Sequence, residues 1–337
     1  MKKLFLSVAL AAAFAAPASA AEVTLKIAHF LPSAAPAQSM VLEPWCADLN
    51  KASAGRIECQ FYPAMQLGGT PGQLADQALR GVADIVWTAP GYSAGRFPKI
   101  EAMELPFVVR DATSGSKAAW EYLNQYAQDE FSKYKVLAIH VDGGVALHTA
   151  NREIKSLNDI KGLKLRTPTR MASKTLAALG GEPVSMPPGQ VTEAISKGVV
   201  DGAMGAWEVV LPTKLDEVTK YHTQPVAGQT YPSATVLIVL MNKQKFDGLP
   251  ADLKQIVDER SGLPLVESFG RVFDERAAET RTHVAAAGAQ VVDISETDLG
   301  AMKNAARAVD QEWRADMDKK GFNGAELSDA ARALARQ

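Results

Sequence analysis

The chain has 337 residues and a mass of 36.0 kDa, which is long for one compact core and sufficient for two lobes. Its 36 lysines and arginines nearly balance 38 aspartates and glutamates, so the net charge of -2 lacks the basic surplus typical of nucleic-acid binding. Hydrophobic residues at 47% and charged residues at 22% describe an ordinary globular chain and exclude disorder, collagen-like repeats and a disulfide-dense scaffold.

Residues 1–20 have the three-part pattern of a secretory signal peptide. Lys2 and Lys3 form a basic start, residues 4–15 are apolar, and residues 17–20 offer small side chains at a cleavage site. About a dozen apolar residues are too few to span a bilayer, which requires roughly 18. We therefore predict an exported chain that starts near Ala21 and, without a lipobox cysteine after the signal, a free periplasmic protein.

Export changes the interpretation of the two cysteines. Cys46 lies in a predicted helix over 38–52 and Cys59 in a predicted strand over 56–62, with a helix end and a turn between them. A return of that length can bring the two Cα atoms within bridging distance, and an oxidising compartment favours a disulfide. The alternative is two buried free thiols. Without a Cys-x-x-Cys pair, neither interpretation makes a catalytic or metal-binding cysteine.

Strands and helices alternate along the rest of the chain. Short β-branched or apolar runs predict strands, and longer periodic segments predict helices. The predicted strands span 23–29, 56–62, 84–88, 135–141, 146–149, 163–167 and 233–241, and the predicted helices include 38–52, 71–80 and 172–179. This alternation predicts an α/β fold with parallel or mixed sheets.

Two segments of the chain repeat one pattern. Residues 74–88 and 192–206 each contain a helix closed by a basic residue and a glycine, then two small apolar residues and an aspartate that opens a strand. Glycine there allows the left-handed backbone that ends many helices. The repetition indicates two equivalent lobes whose strand ends, from Thr88 and Gly205 onward, face each other across a cleft. Open α/β sheets bind ligands at such strand ends.

The sequence contains no local motif for catalysis. It has no Gly-x-Gly-x-x-Gly after a strand, no Walker A loop, no His-Glu-x-x-His and no Gly-x-Ser-x-Gly. The five histidines lack the spacing of metal ligands. A triad that assembles only in space stays open as an alternative. We expect no catalytic residue, no metal site and no cofactor.

The positive chemical signal lies in residues 159–168. Arg166 ends an otherwise apolar strand just before a proline that stops strand pairing, so its guanidinium points beyond the sheet. The planar fork of arginine matches a carboxylate through two charge-assisted hydrogen bonds. A structural ion pair with an acidic residue of the chain is the alternative, and the residues alone leave both open.

The signal peptide and four further motifs, in order, resemble one protein family. The motifs are Tyr-Pro-x-x-Gln-Leu-Gly-Gly at 62–69, Gly-Leu-Lys-Leu-Arg at 162–166, Val-Asp-Gly at 200–202, and Met-Asn-Lys followed by Leu-Pro-Ala-Asp-Leu over 241–253. The chain resembles the extracytoplasmic solute-binding proteins of tripartite ATP-independent periplasmic (TRAP) transporters, of the dicarboxylate-binding type. The resemblance implies a two-lobed binding protein without catalysis that delivers an organic acid to a membrane permease pair driven by a sodium gradient.

The resemblance also implies that Arg166 holds the carboxylate of the ligand, because the arginine of this motif does so in the family. Three positions depart from the family's sialic-acid binders. Gly205 stands in place of an asparagine, Ala146 in place of a second arginine, and Pro188 in place of an aromatic residue. Fewer polar groups imply a less polar ligand, so we expect an apolar or aromatic monocarboxylate rather than a sugar acid.

Position in the family adds further candidates for the ligand site, each with packing in a core or loop as the alternative. Trp207 is placed to stack on a flat ligand or else to pack at the hinge. His148 is placed near the cleft as a second donor to a carboxylate. The other candidates are His29, Phe30, Trp87, Thr88, Tyr92, Thr169 and Tyr231.

The expected architecture is a mixed sheet in each lobe, hinge strands, and a long kinked C-terminal helix that spans both lobes. The first lobe covers 21–143, with about 231–270 returning to it. The second covers 144–230, with about 271–337 packed on it. Pro264 lies in the helical pattern of 251–287 and is expected to kink one helix; two separate helices are the alternative.

The expected mechanism is a hinged clamp. An acid binds Arg166 on the second lobe, and closure buries it against His29, Phe30 and Trp87 on the first. The expected partners are a small carboxylate ligand and the TRAP membrane permease subunits, without nucleic acid, and the expected state is a monomer in the periplasm. The alternatives are an ABC-type binding protein and a periplasmic hydrolase.

Overall fold

The structure is a computed structural model that describes residues 21–337, and the predicted signal peptide of residues 1–20 lies outside the described residues. The strands are β1 Val23–His29, β2 Ile57–Tyr62, β3 Ile85–Thr88, β4 Tyr134–Val141, β5 Val145–Thr149, β6 Lys164–Thr167, β7 Glu182–Ser185, β8 Gly202–Ala206, β9 Tyr221–Pro225, β10 Val236–Asn242 and β11 Gln290–Ile294.

The α-helices lie between and after these strands. They are α1 Glu43–Ala52, α2 Leu74–Leu79, α3 Ala112–Tyr122, α4 Leu157–Ile160, α5 Arg170–Ala178, α6 Val191–Ser196, α7 Lys243–Asp247, α8 Ala251–Glu259, α9 Leu263–Ala286, α10 Glu296–Ala305, α11 Arg307–Lys319 and α12 Gly324–Leu334. Two π-helical turns lie at Ala37–Leu42 and Leu123–Ala127. Short 3₁₀ turns lie at Pro71–Gln73, Pro90–Tyr92, Ile100–Glu104, Gln128–Phe131, Pro188–Gln190, Trp207–Val209 and Leu215–Glu217.

The strands form two mixed sheets, one in each lobe, which confirms the predicted fold class. The first sheet has the order β2-β1-β3-β10-β4, with β1 parallel to β2 and β3 and with β10 antiparallel to β3 and β4. The second has the order β11-β9-β5-β8-β6-β7, with β6 parallel to β7 and β8 and with β5 antiparallel to β8 and β9. Helices cover both sheets, as expected of an α/β protein.

The repeated sequence pattern forms the same local structure in both lobes. Helix α2 leads into β3 and helix α6 into β8, and each helix is followed by a glycine in the left-handed region, Gly81 at φ 71° and Gly198 at φ 68°. In the first lobe the Asp84 carboxylate accepts from the backbone N–H of Lys26 at 2.8 Å. In the second lobe Asp201 does the same for Lys164 at 2.8 Å. The two lobes are therefore built on one local plan.

Two chain crossings between the sheets form the hinge. The chain passes from β4 to β5 through residues 142–144 and from β9 to β10 through residues 226–235. The crossings pair with each other: the backbone N–H of Asp142 donates to the Thr235 carbonyl at 3.1 Å, and that of Val145 to the Ser233 carbonyl at 2.9 Å. The Asp142 carboxylate also accepts from the Thr235 N–H at 3.0 Å. Backbone pairing holds the two lobes in a defined relation at this point.

The expected kink at Pro264 is wrong, and the chain forms two helices there instead. Helix α8 ends at Glu259, and Gly262 has φ 67°, a conformation that favours glycine. Pro264 lies in the first turn of α9, where its missing N–H would have no helical acceptor. Helix α9 does span the lobes, since Phe269 lies in the core of the first lobe and Val284 in a core of the second.

The last two helices differ from the expectation that residues 271–337 pack on the second lobe. Trp313 and Met317 of α11 and Leu327 and Ala331 of α12 are buried in the core of the first lobe. Helix α10 follows the expectation, through Leu299 and Met302 in a core of the second lobe, and so does strand β11 at the edge of the second sheet. The apolar faces of α11 and α12 therefore pack on the first lobe, the same lobe that contains β1.

A disulfide joins α1 to the neighbouring strand β2. The sulfurs of Cys46 and Cys59 are bonded, with their Cα atoms 6.0 Å apart and 13 positions apart in sequence. Within residues 21–337, no helix combines the length and apolar character that crossing a membrane requires.

Candidate ligand-binding site

A small cavity of about 50 Å³ lies between the two lobes, beside the ends of β3, β6 and β8. Both lobes and both hinge crossings line it, so the lobes are closed over it. The lining residues are Phe30, Leu31, Trp87, Tyr92, Asp142, Arg166, Pro168, Pro188, Gly205, Ala206, Glu208, Val209, Thr235 and Leu237.

Arg166 is the cation of this cavity and is only 5% exposed. Two backbone carbonyls orient its guanidinium: Nε donates to Met186 at 3.1 Å and Nη1 to Met204 at 3.3 Å. Its Nη2 has no hydrogen-bond partner among residues 21–337. Burial lowers the pKa of Arg166, and the neighbouring Tyr92 hydroxyl partly opposes that shift. A buried guanidinium with a free N–H edge is suited to receive an anion.

No acidic residue of the described chain forms a salt bridge with Arg166. The structural ion pair left open by the sequence is therefore absent from residues 21–337. The strand explains the placement, because β6 runs between β7 and β8 and ends in residues whose backbone is fixed on both sides. The guanidinium is thus held in place before any ligand arrives.

Three aromatic rings of the first lobe form one wall of the cavity. The rings of Phe30 and Trp87 stack with centroids 4.9 Å apart, and Tyr92 meets Phe30 edge-on at 5.2 Å. The Trp87 indole N–H donates to Nε2 of His140 at 2.9 Å, so its polar atom is satisfied away from the cavity. The wall offers flat apolar surface beside a cation, an arrangement suited to a ring that carries a carboxylate.

Two buried acids, Asp142 and Glu208, lie at the hinge side of the cavity, and neither was predicted from the sequence. Asp142 accepts backbone N–H groups from Gly144 and Thr235, and burial raises its pKa to about 6. Glu208 follows Trp207 in the 3₁₀ turn after β8 and is 3% exposed. Burial, and then the neighbouring Asp142 carboxylate, raise the pKa of Glu208 well above its ordinary value.

The lobes also meet outside the cavity. Arg170 of α5 forms a two-pronged ion pair with Glu101, which belongs to the first lobe and is 3% exposed. Gly91 of the first lobe packs directly on Thr169 of the second, since a Cβ at Gly91 would lie 2.9 Å from Thr169 Cγ2. A cleft of about 550 Å³ at the mouth is lined by Tyr92 and Thr169, among others. Thr169 therefore faces this outer cleft, where its hydroxyl also caps α5.

His29 and Thr88 do not line the cavity, contrary to the expectation from their positions. His29 is fully buried, its Nε2 is 2.7 Å from Oε1 of Gln38, and its ring meets Trp87 edge-on. Thr88 is buried, and its hydroxyl donates to the Pro71 carbonyl at 3.4 Å. His29 supports the aromatic wall from behind, because its β1 position is in register with Trp87.

His148 is wrongly expected to donate to a ligand carboxylate. It is fully buried, its Nε2 donates to the carbonyl of Gly205 at 3.0 Å, and its Nδ1 lies 2.8 Å from Nδ1 of His222. Burial, and then the neighbouring His222, lower the pKa of His148 to about 3. A neutral imidazole whose N–H is already donated has nothing to offer a carboxylate.

Trp207 and Tyr231 pack at the hinge rather than on the ligand cavity. Trp207 is buried against His148 and lies beneath the Arg281 guanidinium, which is 5.7 Å from the ring centroid. Tyr231 packs against Gly144, where a Cβ would lie 2.2 Å from the ring. Both residues line a separate cavity of about 350 Å³ behind the hinge.

The cavity thus brings together five of the predicted residues, and it adds others. The predicted ones are Phe30, Trp87, Tyr92, Arg166 and Gly205. Pro188, noted for lacking an aromatic ring, also lines it. Leu31, Val209 and Leu237 also line the cavity. In the sequence these apolar residues cannot be distinguished from residues of the hydrophobic core. Within residues 21–337 no group of histidine, cysteine, aspartate or glutamate side chains could hold a metal ion.

Comparison with known proteins identifies the same family as the motifs. The model of the bacterial extracellular solute-binding proteins, family 7, matches residues 27–316. A curated relative, the C4-dicarboxylate-binding periplasmic protein DctP of Rhodobacter capsulatus, is 26% identical over 73% of this chain and 73% of its own length.

Two solved structures are more similar. A TRAP solute-binding protein from Rhodoferax ferrireducens, in complex with copurified benzoate, is 41% identical, with 93% of this chain and 98% of that chain covered and a TM-score of 0.91. A marine metagenome TRAP solute-binding protein specific for aromatic acid ligands, in complex with metahydroxyphenylacetate, is 38% identical with the same coverage and TM-score.

The family match distinguishes this chain from an ABC-type binding protein and from a periplasmic hydrolase, the two alternatives that the sequence left open. Family 7 consists of transport receptors, not of enzymes, and its members serve TRAP rather than ABC transporters. The match covers most of the chain and agrees with the two mixed sheets and the interlobe cavity. The chain therefore belongs to the family-7 bacterial extracellular solute-binding proteins, the solute receptors of TRAP transporters.

Proposed function

We propose that this receptor captures a small aromatic monocarboxylate of the benzoate class in the periplasm and delivers it to a TRAP permease. One observation carries the proposal: a buried guanidinium without an acidic partner lies beside three aromatic rings in a closed interlobe cavity. The benzoate and hydroxyphenylacetate held by the two similar structures support the same ligand class.

In this proposal the carboxylate of the ligand takes the free edge of Arg166. The Nη2 atom donates to one carboxylate oxygen, and the adjacent Tyr92 hydroxyl is available as a second donor. The ring of the ligand lies against Phe30 and Trp87, where each Å² of apolar surface removed from water contributes roughly 25 cal/mol. Attraction to Arg166 and burial of the ring act together only when the lobes are closed.

Three positions in or beside the cavity offer no side-chain donor to a sugar acid. Gly205 contributes only backbone, and Pro188 contributes a ring without a donor. Ala146 pairs with Gly205 across β5 and β8 and is itself buried in a core. A polyhydroxylated ligand would leave several hydroxyls unpaired here, which disfavours it strongly.

Arg166→Ala tests the role of the guanidinium. Without it the buried carboxylate of the ligand has no cationic partner, a loss of about 3–5 kcal/mol, or roughly two to four decades in Kd. Calorimetric titration with benzoate measures the change. Arg271→Ala is the control, because Arg271 is an exposed residue of α9 and its variant should bind like the wild type.

The ligand class is tested on the wild type alone. Thermal-shift screening should give larger shifts with benzoate and its ring-substituted forms than with succinate, hexuronates or sialic acid. A largest shift from succinate or a hexuronate, or an Arg166→Ala affinity within about threefold of the wild type, would contradict the proposal. The permease partner, the periplasmic location and the monomeric state belong to the same proposal, and family membership supports the first two.

A further inference from the structure

Glu208 is a buried acid that the capture of a simple carboxylate does not use. It lines the ligand cavity and also the cavity of about 350 Å³ behind the hinge, yet a carboxylate-binding pocket gains nothing from a second acidic group. Its Oε2 atom is buried and has no hydrogen-bond partner among residues 21–337. An unsatisfied buried oxygen is unfavourable, so a partner supplied by the ligand would remove a penalty that the closed protein otherwise bears.

The surroundings of Glu208 favour a neutral partner over a charged one. The acidic groups nearest to it in electrostatic terms are Asp142 at the hinge and Asp274 of α9, and both disfavour a negative charge there. A second carboxylate on the ligand would therefore be repelled from this side of the cavity. Burial, and then the same neighbours, raise the pKa of Glu208 well above its ordinary value, which favours the protonated carboxyl, a group that can both donate and accept a hydrogen bond.

A hydroxyl group matches this chemistry, because it too donates one hydrogen bond and accepts others. If Arg166, oriented by the Met186 and Met204 carbonyls, takes the carboxylate, the acids at the hinge side are left for the other polar end of the ligand. The ring would then lie between them, against Phe30 and Trp87.

We propose that Glu208 is a specificity-determining residue that recognises a hydroxyl substituent on the ring of the bound aromatic acid. The preferred ligand class is thus the hydroxylated aromatic monocarboxylates. This inference rests on the proposed function, since it assigns the second polar end of a ligand whose first end is held by Arg166.

The experiment compares pairs of acids of nearly equal shape that differ only in hydrogen bonding. Calorimetric titration gives the ratio of Kd for 3-methylbenzoate to Kd for 3-hydroxybenzoate, and the same ratio for the 4-substituted pair. We expect the better of the two hydroxyl compounds to be favoured at least about tenfold by the wild type, because its methyl partner leaves Glu208 unsatisfied. Glu208→Gln should keep most of that preference, and Glu208→Leu should reduce it to within about threefold.

Glu208→Met provides a second apolar variant if Glu208→Leu does not fold, and Glu217→Leu is the control, because Glu217 is an exposed residue of the same stretch of chain. A wild type without preference for either hydroxyl compound, or a preference that survives both apolar variants, would overturn the role of Glu208. If no member of the series, benzoate included, binds the wild type, the proposed function itself fails, so the two failures are distinguishable.

Discussion

At the scale of single residues, the burial of Arg166 couples ligand capture to closure. In the closed form its guanidinium is almost fully removed from water and has no anionic partner within residues 21–337. Holding an unpaired cation in that environment is unfavourable, and an opened cleft would return it to water. A carboxylate ligand removes the penalty only in the closed form. Under the proposed function, ligand binding would therefore shift the population of the receptor toward closure.

Gly144→Ala tests the tight packing at the hinge. Gly144 has φ 101°, and a Cβ there would lie 2.2 Å from the Tyr231 ring, so alanine strains the backbone and displaces the ring. We expect a loss in the free energy of unfolding of about 2–4 kcal/mol, measured by urea denaturation. Gly143→Ala is the matched control, because its Cβ would lie 3.4 Å from the nearest atom, and it should lose less than about 1 kcal/mol. Equal stability of the two variants would contradict this account.

The residues of the site show which features a sequence reveals. Arg166 could be predicted because a charged residue ends an apolar strand, and Phe30 and Trp87 because they lie at strand ends that face the cleft. Trp207 could not be separated from Glu208 in this way. In the 3₁₀ turn after β8, Glu208 lines both the ligand cavity and the cavity behind the hinge, whereas Trp207 lines the second alone.

At the scale of elements, the disulfide ties α1 to the edge strand of the first sheet. Strand β2 pairs only with β1, so the bond between Cys46 and Cys59 secures an element with one neighbour. Closing a loop of 13 positions in the unfolded chain contributes about 3 kcal/mol to stability.

Removing this bond should therefore lower stability without preventing folding. We expect the double variant Cys46→Ala/Cys59→Ala to lose about 3 kcal/mol in urea denaturation. Reduction with dithiothreitol should weaken the wild type in the same way and leave the double variant unchanged. A thiol titration of the denatured, unreduced protein should find no free thiol, and two free thiols would show that the cysteines are not bridged in solution.

Two of the strands that were not predicted from the sequence, β7 and β11, have a weak apolar pattern. Strands β7 and β11 lie at the two edges of the second sheet, and most of their side chains are not buried, so no hydrophobic alternation marks them. The break before α9 was permitted by the sequence but not required, because a proline inside a helical pattern is compatible with either a kink or a new helix. The structure has the new helix, with Gly262 in a left-handed conformation just before it.

At the scale of the whole molecule, two ion pairs connect the closed lobes, and one of them is more deeply buried than the other. Arg170 and Glu101 connect the lobes at a site where Glu101 is almost fully buried. Lys174 of α5 reaches Glu312 of α11 at 3.1 Å, with both side chains partly exposed. Because α11 packs on the first lobe, both pairs bridge the lobes, but only the first would leave a buried charge if broken.

Arg170→Gln should weaken ligand binding by acting on closure. It leaves Glu101 unpaired in the closed form, whereas opening can return Glu101 to water, so the affinity for benzoate should fall roughly ten- to a few hundredfold. Lys174→Gln is the matched control and should change the affinity by less than about fivefold. The double variant Glu101→Gln/Arg170→Gln should recover part of the loss. An Arg170→Gln affinity equal to that of the wild type would show that this pair does not stabilise the closed form.

The placement of α11 and α12 on the first lobe has a consequence for how the chain reaches its structure. Leu25 of β1 and Ala335, just after α12, belong to the same hydrophobic core. During synthesis, which begins at the amino end, that core stays incomplete until the last helix has left the ribosome. Neither lobe is a continuous piece of sequence, so cutting the chain at the hinge would leave two fragments with unfinished cores. We therefore expect that neither half would fold on its own.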